Sequence, residues 1–278
     1  MKSLSLFFIF SIFAVVSAAN PAVSQWPNDP FYLPADSAYV GPVDFDGASK
    51  VQSQLQNIYA NEFNLRGQSD RVLQITIDWV KPYFGAFSTL LPQHNNSEDA
   101  GTNLNALNNL LVGNVTAWGG YIRVPEMTDL ALAATFCHEL GHHFGGAPMQ
   151  QDPLPAWSSA EGQADFYAAT VCLPRWLRVA TEDQKPKVFH PNIIQKCKSS
   201  QPCLMVAQAG FEFVRVIHTY SYQNLPALSI LVSDPAKVPA TLKNVYPSYQ
   251  CRLDTFLRVA ESILVNKSAT RPACWFKD

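Results

Sequence analysis

LALAATFCHELGHHF, residues 130–144, is the stretch on which the fold and chemistry of this chain turn. Rich in Ala, Leu and Phe and free of Pro, it reads as a buried helix. Thr128 or Asp129 can cap its start, and Gly145-Gly146 can end it in a left-handed turn. Inside it, His138 and His142 are four residues apart, which puts both imidazoles on one helix face within reach of one ion. Glu139 sits one step round, where a carboxylate can approach an activated water without ligating the metal. The pattern is that of a zinc hydrolase.

Such a site needs a third protein ligand and an open fourth position. Glu161, in Glu161-Gly162-Gln163-Ala164-Asp165, is the acidic residue in a helical pattern soon after the motif. Asp165, four residues on and on the same face, is placed to accept the free ring N–H of a ligating histidine and fix its tautomer. A local alternative exists. Ser158-Ser159-Ala160-Glu161 also spells a capping box, in which the glutamate bonds back to the N-cap amide. Next to a two-histidine helix, the ligand role is the expectation.

Composition narrows the setting of that chemistry. Lys2, the apolar run Leu4 to Val16 and Val16-Ser17-Ala18 form a secretory signal over residues 1–19, too short to span a bilayer comfortably. No other long apolar run follows, so the expected product is exported, secreted or periplasmic, with no membrane span after signal removal. A net charge of -2 and the lack of a basic stripe argue against a nucleic-acid partner. Six cysteines in an exported chain favour disulfides. Cys197 and Cys203 can close an irregular segment. Cys137 and Cys172, both in apolar helical stretches, fit buried free thiols better.

Residues 20–47 are Pro-rich and read as an extended surface segment, with a cleft-covering latency peptide as the alternative; residues 48–278 read as one domain. Helical spacing predicts a helix over 50–65, and alternation predicts a half-buried strand over 71–80. A polar loop is expected over 94–105 and a second strand over 118–124, entered through Gly119-Gly120. A short helix over 175–183 and an irregular stretch over 185–202 are expected next. Helices over 203–222 and 250–265 flank a Pro-rich loop. The class is α+β, mainly helical, with a small sheet beside the zinc helix.

Three blocks resemble the HtpX-like zinc peptidases, the group that includes the CAAX prenyl proteases. They are Asn114 through Gly119-Gly120-Tyr121-Ile122-Arg123-Val124 leading into the zinc helix, then Glu161 to Asp165, then Tyr246-Pro247-Ser248-Tyr249-Gln250-Cys251-Arg252-Leu253. The chain departs from that pattern in three ways. The Asn-to-Gly-Gly spacing is one residue short, Tyr246 stands where a histidine is usual, and the membrane helices of many members are missing. The resemblance implies a zincin-like, glutamate-ligand metallopeptidase, with Arg252 paired to Asp165 and Tyr246 near the oxyanion.

The expected reaction is peptide-bond hydrolysis at one Zn2+ held by His138, His142 and Glu161. Glu139 would act as general base, with a peptide or protein as substrate. Gly120, Tyr121, Ile122 and Arg123 are expected to bind that substrate by strand addition, the glycines leaving room for a second backbone. The rivals are an exported zinc-binding assembly factor without turnover and a zinc amidase acting on cell-wall material. His143 is expected in a supporting or solvent-facing role, and His94, His190 and His218 show no ligand spacing.

Overall fold

Helix α4 (Asp129–Phe144) is buried along almost its whole length, with only Asp129 and His143 less than fully covered. Its small residues Ala131, Ala133, Ala134 and Gly141 let neighbours approach on several sides, as expected of a helix apolar all round. In this computed structural model, which describes residues 41–92, 111–221 and 224–278, the elements packed on it include α1 (Phe45–Tyr59), α5 (Glu161–Tyr167), the helical turn Ala168–Cys172, α6 (Leu173–Trp176), α8 (Gln201–Thr219) and a three-stranded sheet. Helix α9 (Tyr249–Leu264) closes the far side by packing on α8 and α5. The fold is α+β, and no helix among the described residues is long and apolar enough to cross a membrane.

The sheet joins β1 (Arg71–Asp78), β2 (Ala86–Pro92) and β3 (Leu111–Trp118) in the order β1-β3-β2. β1 runs parallel to the central β3, and β2 antiparallel to it. The sheet's two edges are treated differently. On β1, the Gln52 and Gln56 amides of α1 donate to the carbonyls of Ile75 and Leu73, and the Ile75 N–H donates to Gln56 Oε1. Those side chains occupy an edge that would otherwise recruit another strand. β2 has no such cover among the described residues.

Several sequence expectations need correction. The segment expected to be extended as far as Gly47 turns helical at Phe45, because Asp44 caps α1 by accepting from the Gly47 N–H at 2.8 Å. The helix over 50–65 breaks at Ala60 into α1 and a single turn, α2 (Glu62–Leu65). The expected strand over 118–124 is displaced: β3 ends at Trp118, and Gly119–Ile122 form a buried helical turn, α3. Strand β2 carries no clear alternation and was not anticipated. The stretch 185–202, expected to be irregular, contains α7 (Pro191–Cys197), started by Pro191 after a His190 cap. Residues 1–19, most of 20–47, His94 and the 94–105 loop lie outside the described residues.

All six cysteines pair, as Cys137–Cys172, Cys197–Cys203 and Cys251–Cys274. The free-thiol reading of Cys137 and Cys172 is therefore wrong. Their burial arises because α4 and the helical turn 168–172 pack side by side, bringing the two Cα atoms to 5.4 Å. Three disulfides are what an oxidising compartment permits.

Candidate active site

Thr128 caps α4, its hydroxyl oxygen accepting from the Ala131 N–H at 3.0 Å, and this starts the helix in the register that turns His138 and His142 to one side. Their ring centroids are 4.9 Å apart, and the rings lie nearly perpendicular. Glu161 is the first residue of α5. Ala160, not Ser158, stands at the N-cap without a side-chain cap bond, so the capping-box role is not realised. The Ser158 hydroxyl faces His142 Nδ1 instead, at 3.0 Å.

Gly141 explains how α5 comes close enough. A Cβ on it would lie 2.6 Å from the carbonyl oxygen and 2.7 Å from the Cα of Ala164. With that contact allowed, Glu161 Oε2 reaches 3.2 Å from His138 Nε2, and Oε1 reaches 3.7 Å from His142 Nε2. Ligand atoms at ~2.0–2.1 Å from a tetrahedral zinc lie roughly 3.3 Å from one another, so this triangle is of the right size. Both Glu161 oxygens are buried and make no hydrogen bond. The nearby ring nitrogens are in reach but off hydrogen-bond geometry. A buried carboxylate without a donor is unfavourable unless a cation completes it, so these three residues fit a divalent metal.

Asp165 is fully buried and richly partnered. One oxygen lies 2.8 Å from His138 Nδ1 and 2.9 Å from Arg252 Nη2, while the other accepts from Arg252 Nε at 2.8 Å. The carboxylate fixes the proton on Nδ1 and so leaves Nε2 turned towards Glu161. Ser159 does the same for His142, its carbonyl lying 2.8 Å from Nδ1. Burial alone would raise the Asp165 pKa, but the charge of Arg252 overrides it and holds the group at about 2. Burial would lower that of His138, yet the Asp165 charge lifts it to about 9. Burial likewise opposes ionisation of Glu161, and the neighbouring His142 and His138 keep it below the usual range.

The cleft above these groups has a volume of about 210 Å³. One wall is β2, from which six consecutive residues, Ala86 to Leu91, border the space. Alternate residues would border it if a sheet face were presented, so an unbroken run means that the strand's edge faces the cleft. Trp157 and Pro155 also border it, as do the buried Phe213 and Ile217. Glu139 lines the same space as His138 and His142, and the Ser88 hydroxyl of β2 lies 2.8 Å from its Oε2. Tyr246 keeps 42% of its surface exposed on the rim. Burial of its hydroxyl end and the charges of Glu161 and Glu139 push that phenol well above its usual range, so it stays protonated.

No family model, curated protein or solved structure matches this chain.

His138, Glu139, His142, Glu161, Asp165, Arg252 and Tyr246 are thus brought together, the last with its ring under the Arg252 guanidinium at 5.9 Å. The substrate strand expected at Gly120, Tyr121, Ile122 and Arg123 is not there. Cβ atoms on Gly119 and Gly120 would collide with the carbonyls of Trp79 and Pro82 at 2.0 and 1.9 Å, so the glycines admit the chain's own backbone rather than a ligand's. Arg123 is buried over the Trp79 ring and donates to its carbonyl. Tyr121 does border the cleft floor, its hydroxyl 2.8 Å from Thr135 Oγ1. His143 packs against Trp157 and β3, and burial depresses its pKa to about 4. Sequence reasoning missed β2, Ser88 and the Ser159 carbonyl. A backbone acceptor leaves no trace in sequence, and β2 has no periodic one.

Proposed function

We propose that this chain is an exported zinc-dependent metallopeptidase of zincin-like architecture, cleaving extended peptides laid along β2. The observation that carries this reading is Glu161: a buried carboxylate with no hydrogen-bond partner, facing two imidazoles whose other nitrogens are already fixed. A divalent cation held by His138, His142 and Glu161 supplies Lewis acidity to a water and to the substrate carbonyl.

The chain's own groups do the remaining work. Glu139 takes the proton from the attacking water and passes it to the leaving amine. The Tyr246 hydroxyl, kept protonated by its surroundings, donates towards the oxygen on which negative charge develops. Arg252 neutralises Asp165 and thereby keeps His138 oriented. The edge of β2 offers backbone donors and acceptors in the spacing of a peptide strand, and alternate side chains of that peptide meet Trp157 and Phe213.

The test is Glu139→Gln assayed with a peptide library and metal analysis. Bound zinc should match wild type while turnover falls by a factor of about 10²–10⁴, the contribution of a positioned base. Equal turnover in the two proteins would eliminate the proposed base, and absence of zinc from wild type would eliminate the centre.

A further inference from the structure

Ser88 stands out among the residues around the cleft. It lies in the middle of β2, opposite Val115 of β3 on the face turned to α4, where its neighbours in the pattern are apolar. Its half-buried hydroxyl has two acceptors in range, and both belong to Glu139: the carboxylate Oε2 at 2.8 Å and the main-chain carbonyl at 2.7 Å. One hydroxyl carries one proton, and the ionised carboxylate is the stronger acceptor.

We propose that Ser88 is a positioning residue for the general base. This rests on the hydrolase reading above. A glutamate side chain has several rotatable bonds, and a free carboxylate in an open cleft samples many orientations. A bond to Oε2 holds one oxygen against β2 and leaves Oε1 for the proton transfer, in the fixed geometry that an efficient transfer needs. The placement of the donor matters as much as the bond. Ser88 is on the strand whose edge borders the cleft, so the element that receives the substrate backbone also holds the base. A peptide that pairs correctly with β2 steadies Ser88 and, through it, Glu139. One that is out of register does not.

Four single variants and one double variant test this: Ser88→Ala, Ser88→Thr and Glu139→Gln are scored for zinc content, kcat and KM, and Glu139→Ala with and without Ser88→Ala is used for unfolding. Ser88→Ala should keep wild-type zinc and a KM within about twofold while kcat falls about tenfold, the effect of losing one charge-assisted hydrogen bond. Ser88→Thr, which retains the hydroxyl, should recover most of kcat. A second readout does not need turnover. In thermal unfolding, the drop caused by Ser88→Ala should be smaller when Glu139 is already alanine, because the bond to the carboxylate is then absent and only the main-chain carbonyl is left as acceptor. A kcat within twofold of wild type in Ser88→Ala, loss of zinc in that variant, no rescue by threonine, or equal Tm drops in the two backgrounds would each overturn the assignment. If Ser88→Ala is fully active while Glu139→Gln is dead, the hydrolase reading stands without Ser88. If wild type cleaves no peptide, both fall.

Discussion

The two carboxylates at positions 161 and 165 share one short helix, are both almost completely buried, and both touch His138, yet their surroundings are opposite. Asp165 receives hydrogen bonds from an arginine and an imidazole, and each of its oxygens is occupied. Glu161 has none. The first is a finished electrostatic structure: charge, counter-charge and hydrogen bonds are all supplied by the chain. The second has only the two imidazoles facing it, the arrangement that could hold a metal ion. On the reading proposed above, the satisfied Asp165 serves assembly and Glu161, which faces only the two imidazoles, serves binding.

The contrast can be broken by experiment. The largest expected effect is that of Asp165→Ala in metal-free protein, which leaves Arg252 buried without its counter-ion and should cost about 3–5 kcal/mol in denaturant unfolding. Glu161→Gln under the same conditions should cost clearly less, because its oxygens accept no hydrogen bond and only the attraction of the His138 and His142 rings is lost. Similar losses in both would erase the distinction. With zinc added at ~100–1000 times its dissociation constant, wild type should gain about 3–4 kcal/mol and Glu161→Gln much less, read as the Tm difference with and without chelator. Next in size is Gly141→Ala, which forces α5 away from α4 and should cost about 1–3 kcal/mol while weakening zinc binding.

The smallest effect for a single step of the variable is that of one pH unit. In metal-free protein His138 has its pKa raised to about 9, so its pairing with Asp165 stabilises the fold fully below the ordinary histidine pKa of 6.5. That contribution is lost as pH rises from 6.5 through 9, with a slope of at most ~1.4 kcal/mol per pH unit. Zinc must displace a proton from the same ring, so its affinity should climb over that window, as isothermal titration in buffers of different pH would reveal. A flat affinity would mean that His138 is already neutral.

Most of the candidate metal site was legible because its residues are bound by helical periodicity. Four-residue steps place His138 over His142 and Glu161 over Asp165, and that arithmetic survives any tertiary context. Arg252 was reached through resemblance alone; nothing in its own helix marks it, and its partner is 87 residues away. The cleft wall was misplaced for a physical reason. Gly119-Gly120 signals close backbone approach, which the structure bears out, but the approaching backbone is the 79–82 turn and not a substrate. β2 was missed because Ala86–Leu90 are all half-buried, lining a cleft on one side and a sheet on the other, so no alternation of polar and apolar residues develops.

Cys137 immediately precedes His138, and its bond to Cys172 closes a covalent ring spanning 35 positions. His138, Glu139, His142, Glu161 and Asp165 all lie inside that ring, as does the surface bend 147–157 that joins their two helices. A protease that severs the bend therefore cannot separate the two helices: the pieces remain one molecule, tied through Cys137 and Cys172. Such a nick would go unnoticed by electrophoresis without thiols and would become evident as two fragments once reductant is added.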